Sequence, residues 1–505
     1  MKGVSERFRE KNRGSLPQIR PWLLLLLATV WGSVLGQDFQ AFLNRVNSLP
    51  PDQRGAVVDS FMATVPAFPF IEGDSLVHFI YRGAATSVSV PGDFNGWNAS
   101  AWPMTNLFGT NFWYRTTTFE DDARLDYKFV LNGNNWILDP RNPHQVLGGF
   151  GPNSELRMPE YVPPPEVNFQ PGIPHGTFKD TVFFSTHLGN SRLVRVYLPP
   201  GYATTTRRYP VLLVHDGLDY INLAAANNIL DYLIFHQRIE PIMAVFVPPV
   251  NRNQEYAGSL MGAFTSFIVQ ELMPWVDGRF RTETDPDRRA VMGASNGGNI
   301  SLWLALTHPE VFGNVAAQSS NVIASVSSGF QNKPQLDLRI YLDLGTYDIP
   351  VLIPLVRNLV GILQSKNYAL RYQEFHEGHS WGNWRAHIDD ALEFFFPALP
   401  TALPTPTQPA SAPEGFLLFP NYPNPFNPIT NITFRLSRSA RVTLDVFDAQ
   451  GERVRRLLEG RRGPGTYRLQ WDGTGQDGRP VASGIYIYRL TADQARASGK
   501  MLLVR

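Results

Sequence analysis

Ser295 lies in Gly293-Ala294-Ser295-Asn296-Gly297, directly after the strand-like run "RRAVM" and directly before the helix-like stretch "NGGNISLWLALTH". This is a G-x-S-x-G pattern in the context it needs, a sharp strand-to-helix turn whose glycines let a strained serine hold its hydroxyl above a sheet. The helix that follows directs N–H groups and its dipole at any negative charge developing there. A serine hydroxyl is a weak nucleophile at neutral pH and requires a base, itself oriented by an acid. With the chain order serine, acid, histidine, the base is sought among His308, His376, His379 and His387. His308 ends the helix after the turn and His387 falls in a helical pattern. His379, in "HEGHSWGNW", sits in a glycine-bearing loop that leaves a strand and enters a helix; it is the expected base, with the strand-end His376 second. Asp348, in "LDLGTYDIP", follows a buried strand and is the expected acid. Asp343 lies within that strand, where its ordinary role is a structural hydrogen bond, and Glu374 and Glu377 are too close in sequence to His379. Such a set attacks an acyl carbon, forms an acyl-enzyme and hydrolyses it.

The negative charge formed in that attack needs donors. The backbone N–H of Asn296 is the first, and "VLLVHDGLDY" offers a second from Gly217 or Leu218, with His215 and Asp216 shaping the loop. After the next strand, "NRNQEY" brings Arg252, Glu255 and Tyr256 to the same sheet edge, where they either line a substrate site or form an internal ion pair. Trp381 and Trp384, with Tyr220, either stack on a flat ring of the substrate or pack against one another.

The elements that must position these residues alternate. "RYPVLLVHDG", "PIMAVFVPP", "RRAVMGAS", "GNVAAQSS", "LRIYLDLG" and "YALRYQEFHEG" read as buried strands, and helical stretches such as "AAANNILDYLIFHQ" and "VLIPLVRNLVGILQSKN" lie between them. Residues 173–397 are therefore expected to form a mainly parallel sheet with helices on both faces. Residues 37–72 read as a helical lead-in broken at Pro50 and Pro51, and 73–162 as a β-sandwich of short aromatic and β-branched strands. Residues 398–414 are a proline-rich linker, and 415–505 return to alternating strands, a second sandwich.

Composition narrows the function. The 45 Lys and Arg against 44 Asp and Glu give a net charge of +1, without the basic footprint nucleic acid requires. Cysteine is absent, which removes disulfides, thiolate metal sites and a cysteine nucleophile. Lys2, Arg7, Arg9, Lys11, Arg13 and Arg20, then "PWLLLLLATVW" and Gly36, have the build of a secretory signal over 1–36, too short in its apolar run for a membrane span. The mature chain is expected outside the cytoplasm, without a transmembrane segment.

Residues from about 175 to 396 resemble the esterase family of α/β-hydrolases that includes enterochelin, acetylxylan and feruloyl esterases, through "VYLPPGY", "RYPVLLVHDG", "GASNGG", "LGTYD" and "GHSWGNWR" in that order. The resemblance implies a serine, Asp and His set, carried onto Ser295, Asp348 and His379, and ester hydrolysis without metal or cofactor. "GDFNGWN", "YKFVLNGNNWILDP" and "GPNSEL" are similar to the early-set, glycogen-binding type of carbohydrate module, whose glycan contacts would fall on Trp97, Lys128, Trp136 and Asn153. "NYPNPFNPITNITFRL", "WDGTGQDGRPVASGIYIYRL" and "KMLLVR" resemble the sorting domain of type IX secretion substrates, against the plainer reading of an Ig-like accessory domain. That implies passage through the periplasm and the outer-membrane type IX machinery as a partner.

The expectation is an α/β hydrolase flanked by two β-sandwich domains, a secreted or surface-attached serine esterase acting on acetyl or feruloyl esters of plant polysaccharide. The alternatives are an esterase of catecholate siderophores and a surface glycan-binding protein with an inactive hydrolase scaffold.

Overall fold

The computed structural model describes residues 38–398 and 416–504, apart from 420, 422, 423 and 425; the signal read over 1–36 and almost all of the 398–414 linker lie outside them. The chain divides into two compact units, Met1–Pro400 and Thr401–Arg505.

The first unit is built on an 11-stranded sheet. Its order runs 177–185, 190–198, 243–247, 211–215, 289–294, 314–318, 339–347 and 369–378, and then continues into 124–127, 151–157 and 145–148. The strands from Met243–Val247 to Ala369–Gly378 are parallel, whereas the first two pair antiparallel. In Val211–His215, Met243–Val247, Arg289–Ala294 and Asn314–Gln318 every residue is buried, as expected of strands covered on both faces. Helices including Ala226–Phe235, Asn296–Thr307 and Leu352–Ser365 provide the cover.

The sequence suggests a β-sandwich over 73–162. In the structure that segment supplies strands to a 4-stranded sheet, a 3-stranded sheet and the end of the hydrolase sheet, which it extends by three strands, all over one core that includes Phe79, Trp113, Leu125, Tyr127 and Leu156. The helices Phe39–Asn47 and Pro51–Thr64 pack an aromatic cluster, Phe39, Phe42 and Phe61, onto Phe70 and Phe112 of this module. The chain leaves helix geometry at Pro50 because a residue before proline is pushed out of it.

In the second unit, a 3-stranded and a 4-stranded antiparallel sheet share a core around Phe434, Leu444, Trp471, Tyr488 and Met501. Among the described residues no helix is long and apolar enough to cross a membrane.

Candidate active site

Ser295 occupies the turn between strand Arg289–Ala294 and helix Asn296–Thr307, with φ 57° and ψ −119°. A side chain with this backbone is strained, and strain of this kind persists only when its surroundings impose it. Here they do. The N–H of Ser295 donates to Gln318 O at 2.8 Å, and its carbonyl accepts from Asn299 N and Asn321 N, each at 3.1 Å. The turn is so tight that a Cβ on Gly293 would lie 2.4 Å from the Gly297 carbonyl, so no larger residue fits there.

His379 leaves the end of strand Ala369–Gly378, and its Nδ1 is 2.7 Å from Asp348 Oδ1. Asp348 follows strand Arg339–Tyr347; the same oxygen accepts the N–H of Ile349 at 2.6 Å, and the side chain is fully buried. The carboxylate thus fixes one ring nitrogen and leaves Nε2 for other work. Trp384 stands edge-on to the imidazole, centroids 5.0 Å apart. Ser295, Asp348 and His379 line one cavity. Ser295 Oγ makes no hydrogen bond to another described residue, a looseness common in such sites before substrate binds. The remaining histidines are committed elsewhere: His308 to Glu310, His376 to Asp122 and His387 to Glu377. Asp343 is wholly buried and accepts from Gln318 Nε2 and Ser319 N, a structural role.

Asn296 opens its helix and Gly217 opens helix Gly217–Asn222, so the first N–H groups of each have no intrahelical partner. Gly217 is forced by contact, since a Cβ there would lie 2.3 Å from Val247 N. Leu218 follows it in the same first turn. Asp216 before it is buried and has φ 52°, and Arg252 grips its carboxylate at 2.8 and 2.7 Å. Burial raises the Asp216 carboxyl above its ordinary value against the pull of Arg252. His215 is buried beside Tyr256 and Phe264, and burial lowers it to about 3, so the ring is neutral.

Glu255, offered above as a substrate contact, is corrected: it is completely buried and paired with Arg192 at 2.9 and 3.2 Å, away from the cavity. Arg252 does line the cavity, but its partner is Asp216. Trp381 and Trp384 both pack and line: they meet edge-to-face at 4.9 Å within the core and also form part of the cavity wall, whereas Tyr220 is buried and bonds Gln318.

The cavity, about 910 Å³, is lined in part by the N-terminal module. Trp97, Lys128, Trp136 and Asn153 all face it. Trp97 Nε1 donates to Asp93 Oδ1 at 2.9 Å, Asn153 Nδ2 to Asp126 Oδ2 at 2.9 Å, and Trp136 is 43% exposed. Burial, with the Asp126 charge beside it, raises Asp93 to about 8. Tyr347, Ile349 and Phe150, none of them among the residues expected from sequence, also line the space. Phe150 is fully exposed at a hairpin tip between glycines, and an aromatic in "GGFG" was the available signal. Among the described residues no cluster of His, Asp and Glu is placed to hold a metal ion.

Residues 185–395 match the family described as "Putative esterase", 69–141 match Carbohydrate-binding module 48 (Isoamylase N-terminal domain), and 426–496 match the FlgD Ig-like domain. The chain is 31% identical over 215 residues to the endo-1,4-beta-xylanase/feruloyl esterase of Xylanibacter ruminicola, covering 40% of this chain and 29% of that protein. It is 25% identical over 331 residues to the iron(III) enterobactin esterase of Escherichia coli, 58% of this chain and 82% of that protein. The crystal structure of the enterobactin esterase FES from Shigella flexneri superposes with a TM-score of 0.55 at 23% identity, over 64% of this chain and 94% of that one. The first unit therefore has an esterase-like α/β-hydrolase fold with added β-rich parts, and its relatives support carboxylic ester hydrolysis.

Proposed function

We propose that the protein is an exported serine esterase that cleaves acetyl or feruloyl esters of plant polysaccharide. Ser295 Oγ attacks the ester carbonyl while His379 Nε2 takes its proton, and Asp348 holds the imidazole and balances its charge. The oxyanion is held by the N–H of Asn296 and that of Gly217 or Leu218. His379 returns the proton to the leaving alcohol, and water then repeats the sequence on the acyl-enzyme.

The observation that carries this reading is a single cavity, lined on one side by Ser295 and the Asp348-bonded His379 and on the other by Trp97, Lys128, Trp136 and Asn153. Aromatic faces stack on sugar and feruloyl rings, while an amine and an amide bond hydroxyls. An inactive scaffold has no use for a buried carboxylate bonded to a histidine in that wall.

The second reading is a catecholate siderophore esterase, favoured by the length of the match to the enterobactin esterase, 331 residues and 82% of that protein. The supply of cations argues against it: the cationic side chains lining the cavity are Lys128 and Arg252, and Arg252 is taken up by Asp216. One amine is left to meet a multiply charged ferric catecholate, whereas a neutral polysaccharide needs no such charge.

Export through a signal at 1–36 and sorting by the C-terminal domain through the type IX machinery complete the proposal. Its supports are the basic and apolar build of the leader and the motifs of 415–505.

The test is release of acetate and ferulate from acetylated and feruloylated xylan by the chain from Gln37 onward, with Ser295→Ala as blank. Serine-dependent release is expected. Activity on a simple acetyl ester together with none on xylan and cleavage of a ferric catecholate ester would transfer the assignment to siderophores.

A further inference from the structure

The N-terminal module grips the turn that carries His379. Its strand Arg124–Tyr127 meets strand Ala369–Gly378 at one parallel pairing, Arg124 with Glu377. Past that pairing Arg124, wholly buried, sends Nη1 to Ser380 Oγ at 3.0 Å and Nε to Glu155 Oε1 at 2.6 Å, and its Nη2 is 2.5 Å from Asp126 Oδ1. Its guanidinium lies so close to Gly382 that a Cβ there would come within 2.0 Å of Nη2, and a Cβ on Gly378 would come within 2.1 Å of Asp93 Cγ. The acid is approached from the same side: Tyr347, the residue before Asp348, donates its hydroxyl to Glu120 at 2.6 Å.

A buried guanidinium is costly unless carboxylates and acceptors surround it. Burial works to discharge Arg124, and Asp126, Glu155 and Glu377 together outweigh it and keep the group charged. This arrangement supplies rigidity at one place. The planar fork of arginine fixes the directions of its donors, and one of those donors ends on the residue after His379. Ser380 in turn caps helix Trp381–Ala386, accepting the N–H of Asn383 at 3.4 Å, so its hydroxyl links the arginine to the helix that carries Trp381 and Trp384.

We propose that Arg124 is a positioning residue for ester hydrolysis: bonded to Ser380 and seated on Gly382, it fixes the turn that carries His379, which makes the N-terminal module part of the catalytic apparatus. The inference rests on the reading of His379 as the base.

The experiment uses the full chain and 4-nitrophenyl acetate. Ser380→Ala removes the acceptor of Arg124 and leaves the arginine's carboxylates in place. A displaced base slows the chemical step, so kcat is expected to fall roughly 10-fold or more while KM stays within about 2-fold; the lost cap and the unmatched Arg124 donor also lower the melting temperature, with the protein still folded at the assay temperature. Ser380→Thr, which keeps the hydroxyl, is expected to restore kcat to within about 3-fold of the parent. Gly382→Ala displaces the guanidinium without touching Ser380 and should lower kcat in the same direction. Wild-type kcat in Ser380→Ala and Gly382→Ala overturns the inference, as does a loss confined to KM or one that Ser380→Thr does not relieve. Ser295→Ala, run alongside, separates the two claims: turnover surviving in that variant defeats the serine reading itself, whereas serine-dependent turnover untouched by the Ser380 and Gly382 changes defeats only the positioning role.

Discussion

Arg252 holds both oxygens of Asp216, Nε to Oδ1 at 2.8 Å and Nη2 to Oδ2 at 2.7 Å, and the same Nη2 reaches the carbonyl of Ala294 at 3.1 Å. One side chain therefore ties the turn that begins at Gly217 to the residue before Ser295. Asp216 has a positive φ, so the turn needs an external brace. Arg252→Lys keeps the charge but loses the fork. It is expected to cost about 1–3 kcal/mol of stability, toward the lower end because Arg252 is partly exposed. kcat is expected to drop by roughly 10-fold as the oxyanion donors shift. Urea unfolding and steady-state kinetics on a simple acetyl ester check both, and unchanged kcat would reduce the pair to a structural contact.

Ser295 stores strain, and glycine adopts φ 57°, ψ −119° without it. Ser295→Gly is expected to raise stability by about 1 kcal/mol, the relief of a disfavoured backbone less the extra freedom of the unfolded glycine chain. Turnover should fall at least ~10³-fold with the nucleophile gone. Calorimetry of the two proteins is the check: a melting temperature that drops would mean that the turn is unstrained in solution.

The parts of this fold that could be read from sequence are those where one segment states its own role. A strand such as Met243–Val247, apolar at every position, has only the centre of a parallel sheet to occupy, and the Ser295 turn declares itself through Gly293, which nothing larger could replace. Asp348 and His379 could be nominated from chain order, although only the fold brings Nδ1 and Oδ1 to 2.7 Å. What escaped depends on partners distant in sequence. Glu255 has the same local surroundings whether it faces substrate or Arg192, and Arg192 sits on a strand with no marker of the pairing. The strand pairing that joins module and hydrolase is one residue long, Arg124 with Glu377, too short to leave a pattern, and the side-chain bonds around it join residues far apart in sequence. Trp381 and Trp384 were ambiguous because they do both jobs, packing on one face and lining the cavity with another.

Asp93 gives the protein a pH dependence with a definite sign. Its carboxyl stands near 8 in the fold against 3.8 unfolded, raised by burial and by Asp126. Between those values the native chain holds a proton that the unfolded chain has released, so this contribution is complete below 3.8 and is lost as pH rises through about 8. The slope is at most about 1.4 kcal/mol per pH unit. Asp93→Asn, whose amide stands for the protonated acid, should lack that slope and gain stability relative to the parent at about pH 8 compared with about pH 5. Melting temperatures of both proteins across that range decide it, and parallel curves would mean that Asp93 is ionised throughout.

Trp136 is the cleanest probe of whether the module touches substrate. It is 43% exposed, lines the cavity, and its indole makes no hydrogen bond among the described residues, whereas Trp97 braces Asp93 and its removal would disturb the turn. An aromatic platform contributes about 0.5–1.5 kcal/mol beyond its buried area, so Trp136→Ala is expected to raise KM on feruloylated xylan by roughly 3- to 10-fold. On 4-nitrophenyl acetate, which has neither a sugar chain nor a feruloyl ring to rest on Trp136, both kcat and KM should stay at the parent values. The contrast between the two substrates carries the argument: equal losses on both would make Trp136 a structural residue, and no loss on either would leave the sugar chain bound outside this cavity.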